Sequence, residues 1–369
     1  MLGRLRVYVK KFDWILFLAA LLLSLFGLIE IYSIALSQET LDLLNFKKQI
    51  FFISSGVALM FIFSLVDVYF LKSISRYLYI LAGLLLVSVL LFGTSIRGTT
   101  GWFYIFGFGI QPVEIVKVLL ILCLGSYFAN LSTRVKRWGH LLTSAVITAV
   151  LAGLVILQPD FGSAFILLFV WFVLLLLSGF KYKYIISVVL IGIIIFASLW
   201  MFFFKDYQKQ RILTLVNPGQ ENTLDQGYNV SQAMIAVGSG GVIGRGIGFG
   251  SQSQLKFLPE AQNDFIFAVI AEELGFLGVF LLLGFFLIFF IRLLQSVKKI
   301  NNDFGIFFIL GGLGLIFIQM FINIGMNIGI FPVVGISLPY VSYGGSSIIS
   351  SFILLGLIQN IIIQSKIKY

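Results

Sequence analysis

Charge, cysteine and histidine are all scarce in this 369-residue chain. Charged residues make up 11% of it against 60% hydrophobic, with a mean hydropathy of +1.07. That leaves too little polar surface for a water-soluble globule of this size. The single cysteine, Cys123, excludes an internal disulfide, and it lies within an apolar run where packing is its expected role. The single histidine, His140, has no second His or Cys with which to hold a metal. No GxxxxGK[ST] loop is present. The glycines of "GSGGVIGRGIGFGSQSQLKFLPE" lack the preceding strand and the βαβ spacing of a nucleotide-binding loop, so they are read as tight turns and close backbone approaches. Internal repeats and low-complexity tails are also missing, which leaves a single integral domain over residues 1–369.

What the chain does have is long apolar runs. Crossing a hydrocarbon core of about 30 Å takes roughly 20 helical residues. Such runs occur near 14–36, 49–70, 77–93, 112–129, 141–157, 163–179, 184–204, 265–291, 304–330 and 338–363. The expected fold class is therefore an all-α integral membrane protein with ten transmembrane helices. The first run is too long for the h-region of a signal peptide and is read as an anchor that stays.

The formal charge of +10 could suggest nucleic acid, but its placement argues against that. Arg4, Arg6, Lys10 and Lys11 precede the first span. Lys72 with Arg76, Arg134 with Lys136 and Arg137, Lys181 with Lys183, Arg292 with Lys298 and Lys299, and Lys366 with Lys368 fall in alternate connections. Under the positive-inside rule these segments are cytoplasmic, as are both termini. The basicity is topological, so no nucleic-acid partner is expected; the contacts are with membrane lipids. The one long outward segment, 205–263, is expected to hold short helices. Within it "YNVSQAMIAVG" places Val230, Ala233, Met234 and Val237 on one helical stripe, suited to lying on or dipping into the outer leaflet.

Ionisable side chains in or bordering spans cost at least ~2.5 kcal/mol at a helix centre, so each needs a partner or a task. Here they are Glu30, Asp67, Glu114, Lys117, Asp160, Asp264, Glu272 and Glu273. In "GIQPVEIVKVLL", Pro112 suits a first helical turn, and Glu114 and Lys117 share a face at i and i+3. They either neutralise each other or leave Lys117 to meet an anionic headgroup. Asp160, in "LQPDFGSAF", caps the sixth span or borders a cavity. Asn263 is a plausible N-cap that puts Asp264 in the first turn of the eighth span, where the helix dipole favours an ionised carboxylate. Glu272 and Glu273, about 12 to 13 Å deeper, are read as buried polar ties. Glu114, Lys117, Asp160 and Asp264 all fall at outward span ends, beside a loop carrying Arg211, Arg245 and Lys256. Acid and base meeting at one membrane face suit a lipid-linked anionic substrate.

Six stretches carry a resemblance along essentially the whole chain: "QPVEIVK", "QPDFGSA", "DYQKQRILTLVNP", "GYNVSQAMIAVGSGG", "GSQSQLKFLPEAQNDFIFAVIAEELGFLG" and "NIGMNIGIFPVVGISLPYVSYGGSS". In order, they resemble the SEDS family (shape, elongation, division and sporulation). "GSQSQLKFLPE" followed by "AEELG" is more similar to its elongation branch, RodA-like, than to its FtsW-like division branch. The resemblance implies the ten-span SEDS fold and a peptidoglycan glycosyltransferase that polymerises lipid II at the outer face of the bacterial cytoplasmic membrane, alongside a class B penicillin-binding protein. Asp264 matches the family's essential aspartate, Glu114 and Lys117 its QPSE-x-x-K motif, Asp160 its QPD turn, and Arg211 the arginine of YQ-x-x-R. The chain departs from the family's Gly-Ala-x-Arg-Trp pattern, having Gly101 in "RGTTGWF" where the arginine is expected; Arg97 is the candidate replacement. Val113 replaces a usual Ser and Gln262 a common His.

The implied chemistry makes Asp264 a general base on an acceptor sugar hydroxyl attacking an undecaprenyl-diphosphate-linked glycan, with inversion. Lys117, Arg211 and Arg245 would steady the leaving diphosphate, with Arg97, Lys256, Glu114 and Asp160 completing the binding set. A divalent cation, Mg2+ or Mn2+, could assist; its ligands are not assigned, and no organic cofactor is expected. The alternatives are a lipid II flippase, an FtsW-like division polymerase, and a scaffold without activity.

Overall fold

In a computed structural model the chain is described over residues 8–36, 43–96, 98–105, 107–131, 137–202, 209 and 226–367. Arg97 and Arg211 lie outside the described residues. The helices are α1 (Trp14–Leu36), α2 (Leu44–Leu65), α3 (Val68–Ser73), α4 (Ser75–Phe92), α5 (Pro112–Leu131), α6 (Trp138–Ile156), α7 (Phe161–Leu177), α8 (Tyr182–Phe202), α9 (Gln226–Ser239), α10 (Ser251–Gln254), α11 (Ile266–Val297), α12 (Asp303–Asn327) and α13 (Gly345–Ile367). Among the described residues nine helices are long and apolar enough to cross a membrane, and the 17-residue α7 is a shorter apolar helix. Each of the ten expected runs therefore contains a helix, and the chain is a multi-pass membrane protein.

Helix starts follow local chemistry. Pro112 opens α5, where its missing N–H costs nothing. Asp160 caps α7 by accepting from Ser163 N at 2.9 Å, and Asn302 caps α12 by accepting from Gly305 N at 2.7 Å. Asp67, read above as a span-border charge, caps the short α3 through Tyr69 N.

Two spans begin elsewhere than hydropathy suggests. α2 starts at Leu44, because Asn45, Lys48 and Gln49 are taken into its first turns, where Asn45 Nδ2 donates to the Gln262 side-chain oxygen and Gln49 Nε2 to the Ser342 carbonyl. α13 starts only at Gly345, because the apolar "SLPYV" before it is extended and turning, with Tyr340 at φ 64°. Between α4 and α5 lies an element the sequence reading did not foresee: a small antiparallel sheet of β1 (Thr94–Ile96), β2 (Thr99–Ile105) and β3 (Phe108–Ile110) in the order β1-β2-β3. Left-handed Gly98 and Gly107 make its two turns.

α13 packs on α2 and α5, α12 on α5 and α7, and α11 on α1. α5 is largely interior, while the apolar window of α8 holds no buried residue. α9 does not lie only against lipid. Ala233 and Ala236 are buried with Ile34, Leu258, Phe265 and Val269, while Met234 of the expected stripe is exposed. Small side chains bring the helix close to α11.

Candidate functional site

One end of the bundle gathers the starts of α2, α5, α7, α11 and α13, the end of α12 and the β-sheet around a cavity of about 670 Å³. Glu114, Lys117, Asp160 and Asp264 all line it, so the four residues expected to converge do so. Arg245 and Lys256 are not among its lining residues. The Arg245 guanidinium turns to Ser251, with Nη1 donating to Oγ at 2.7 Å, and Lys256 sits at a left-handed turn. The loop's internal fold, which span parity does not fix, takes both away from the cavity.

Glu114 and Lys117 stand one turn apart at the start of α5, both buried, with Lys117 Nζ 2.7 Å from Glu114 Oε1. Asp160 is both cap and cavity wall. Its Oδ1 accepts from Ser163 N, and its Oδ2 accepts from Gln111 Nε2 at 3.3 Å, which joins the entry of α5 to that of α7.

Asp264 is placed differently from expectation. It precedes α11 rather than occupying its first turn, and Phe265 stands at the N-cap position. Asn263 does not cap: its side chain donates to Glu260 Oε2 at 2.7 Å. The turn gains its shape from outside instead. The main-chain carbonyls of Gln262, Asn263 and Asp264 accept, in order, from Tyr343 N at 2.9 Å, from Ser342 Oγ at 2.6 Å and from the amides of Asn323 and Asn327. Asp264 itself is half-buried. Gly335, at φ 69°, faces its carboxylate, and a Cβ there would lie 3.8 Å from Oδ2. That is an ordinary contact distance, and it is the left-handed backbone at position 335 that disfavours a side chain there.

Sequence reasoning missed two contributors. Lys48 lines the cavity from α2, its ammonium 5.8 Å from the Phe108 ring centroid and 3.4 Å from the Gly107 carbonyl oxygen. Among the described residues it is the cavity's one basic side chain outside an ion pair, and the signal was "FKKQIFF", where a lysine precedes a run that keeps helical spacing. Tyr343 also lines the cavity. Its phenol is pushed up from its ordinary value by burial and then by neighbouring Tyr104, so it stays neutral.

Glu272 and Glu273 are the buried ties expected of them. Glu272 accepts from Gln252 N at 2.8 Å and Ser253 N at 3.1 Å; Glu273 accepts from Gly248 N at 3.1 Å and from the Ser33 hydroxyl. The glycine-rich stretch is thus a loop pinned by two carboxylates, not a phosphate cradle. Glu30 is fully buried and, among the described residues, neither carboxyl oxygen has a hydrogen-bond partner.

A model of the FtsW, RodA and SpoVE family, described as "Cell cycle protein", matches residues 13–367. The chain belongs to this family. It is 35% identical over 323 residues to the peptidoglycan glycosyltransferase MrdB of Escherichia coli K12, covering 87% of this chain and 86% of that protein. It is 34% identical over 379 residues to the probable peptidoglycan glycosyltransferase FtsW of Bacillus subtilis, covering 97% and 92%. Its fold superposes on a chain solved in work titled "Structural coordination of polymerization and crosslinking by a peptidoglycan synthase complex", with a TM-score of 0.81, 27% identity and coverage of 97% and 98%. The SEDS architecture expected from the motifs is the architecture found, with nine membrane-spanning helices and the shorter apolar α7 among the described residues.

Proposed function

We propose that this membrane protein is a peptidoglycan glycosyltransferase that polymerises lipid II, with Asp264 as its general base. The observation that carries the reading is the shared cavity: one carboxylate at a bundle end, half-buried, with Lys48, the Glu114–Lys117 pair and Asp160 around it. Family membership and relatives named peptidoglycan glycosyltransferases, MrdB among them, supply the substrate class. The placement of basic residues in alternate connections supports both termini being cytoplasmic, with this end outside.

In the reaction Asp264 takes the proton from the acceptor's sugar 4-hydroxyl. The oxygen attacks the anomeric carbon of the growing chain, the bond from that carbon to the diphosphate oxygen breaks, and undecaprenyl diphosphate leaves with the electron pair. A single displacement inverts the anomeric carbon. Lys48 is the cavity cation proposed to meet the diphosphate, beside Lys117 held by Glu114; Arg211 keeps the binding role its motif implies, and Arg97 its role as candidate replacement for the arginine missing at Gly101. Among the described residues no three His, Cys, Asp or Glu side chains group as a metal-ligand set, so no step is routed through Mg2+ or Mn2+. A crosslinking partner of the class B penicillin-binding type is proposed from the family resemblance, supported by the structural neighbour's coming from work on polymerization and crosslinking by a peptidoglycan synthase complex. MrdB and FtsW relatives stand at similar identity, and the RodA-like elongation role rests on the "GSQSQLKFLPE" and "AEELG" motifs.

Transport has one feature in its favour, the break in α11 at Gly275, since transporters often use discontinuous helices. The carboxylates beside that break are occupied by N–H and hydroxyl donors from the loop and from Ser33, so polymerisation is the better reading. The test is polymer synthesis from purified lipid II. Asp264→Asn should lower the rate by about 10²- to 10⁴-fold with the protein still folded. Near-normal synthesis would refute the assignment, and headgroup translocation in vesicles without polymer would favour the flippase.

A further inference from the structure

Asp264 stands just outside α11, so its main-chain carbonyl is where helical geometry would bring the N–H of Ala268, four residues on. Ala268 N instead donates to Asn327 Oδ1 at 3.0 Å as well as to the Phe265 carbonyl, while Asn327 Nδ2 donates to the Asp264 carbonyl at 2.9 Å. The Asn327 amide is spliced into the helix like one more peptide unit. It holds the acid's backbone one step out of the helix without leaving donor or acceptor unpaired.

Asn323, one turn earlier on α12, donates to the same carbonyl at 3.0 Å and to the Ile336 carbonyl at 2.8 Å. Both asparagines are fully buried. The opposite flip of Asn323 would aim its oxygen at two carbonyl oxygens, so the donating orientation is fixed, and its own Oδ1 has no partner among the described residues. Ile336 adjoins Gly335, which faces the Asp264 carboxylate. A single amide therefore sets the separation between the turn bearing the acid and the cavity wall opposite it.

We propose that Asn323 and Asn327 are positioning residues for Asp264, clamping its carbonyl so that its carboxylate keeps one aim across the cavity. Neither touches the cavity itself. The inference rests on Asp264 being the base. A turn anchored only at its ends would leave the carboxylate free to drift, and a misplacement of about 1 Å can cost ~10²-fold in rate.

Steady-state polymerisation by the purified full chain with its crosslinking partner decides it. Asn323→Ala and Asn327→Ala are each expected to lower kcat about 10- to 100-fold with KM for lipid II changed less than about threefold. Asn360→Ala is the control: it removes a buried amide at the opposite end of the bundle, where Nδ2 donates to the Ser64 carbonyl at 2.9 Å. It should keep its kcat at a comparable loss of thermal stability. Should an alanine variant fail to fold, Asn327→Ser and Asn323→Ser, which retain a donor, carry the same comparison. The proposal is overturned by a kcat within twofold of the parent, by a loss confined to KM, or by an equal fall in Asn360→Ala. An active Asp264→Asn would sink the base assignment and this inference together; an inactive Asp264→Asn beside fully active asparagine variants would sink this inference alone.

Discussion

Neutralising the Glu114–Lys117 pair one side at a time separates its two roles. At 2.7 Å, and with an effective dielectric of about 20, the pair's gross attraction is about 6 kcal/mol. Both side chains are buried, so Glu114→Gln alone strands an ammonium and Lys117→Met alone strands a carboxylate. Each single change is expected to cost about 3–5 kcal/mol. The two will not be equal. Glu114 lies in the first turn of α5, where the helix dipole favours an anion and opposes a cation, so stranding Lys117 is the worse of the two. The double variant removes both charges while nearly keeping shape, and should recover most of the stability. Unfolding in mild detergent measures this, and polymerisation of lipid II is read in parallel. If Lys117 meets the substrate's anionic headgroup, the double variant is stable and slow; if the pair only neutralises a helix end, it is stable and active. Single variants as stable as the parent would refute the burial argument itself.

Lys48→Met should reduce polymerisation by roughly 10²-fold, the scale for removing one donor to developing charge, because among the described residues Lys48 has no carboxylate partner, and it lines the cavity. Folding should change by no more than about 0.5 kcal/mol, as at other partly exposed sites; unchanged activity on a gel-resolved polymer assay would remove Lys48 from the site. Gly275→Ala should destabilise the chain by at least about 2 kcal/mol, because φ 65°, ψ −161° is a glycine-only conformation. A Cβ there would also meet the Gly244 backbone and lie 2.7 Å from the Val242 carbonyl oxygen. A parental melting temperature for that variant would mean the break is not needed.

The membrane architecture was readable because hydropathy and length report the bilayer directly, and the convergence of Glu114, Lys117, Asp160 and Asp264 followed from span parity alone. Where polar residues join a helix for a contact, as Asn45 and Gln49 do in α2, hydropathy places its start too late. Where apolar residues are held in extended or turn backbone, as Leu338 and Val341 are, it places the start too early. The β-sheet had a signal in "TSIRGTTGWFYIFGFGI", short alternating runs separated by turn glycines, that is faint beside ten apolar spans. Arg245 and Lys256 went astray for a different reason: a loop's internal hydrogen bonding has no periodicity to read. Asn323 and Asn327 look like polar interruptions of an apolar helix, and only the position of Ala268 and Asp264 against them discloses what they do.

Within a bilayer, backbone N–H and C=O groups that leave helical geometry must find partners in the protein, because lipid offers none. α11 leaves that geometry at its start and again at Gly275, and a different neighbour satisfies each place. At the start it is α12, through Asn323 and Asn327. At Gly275 it is the glycine-rich segment: Arg245 N and Gly246 N donate to the carbonyls of Glu272 and Glu273, while Phe276 N and Leu277 N donate to those of Gly241 and Val242. Between these two breaks runs the short first part of α11, its lower end tied by the Glu272 and Glu273 carboxylates to the loop that leads back to the Asp264 turn. That loop and the acid are therefore joined through the same few residues of α11.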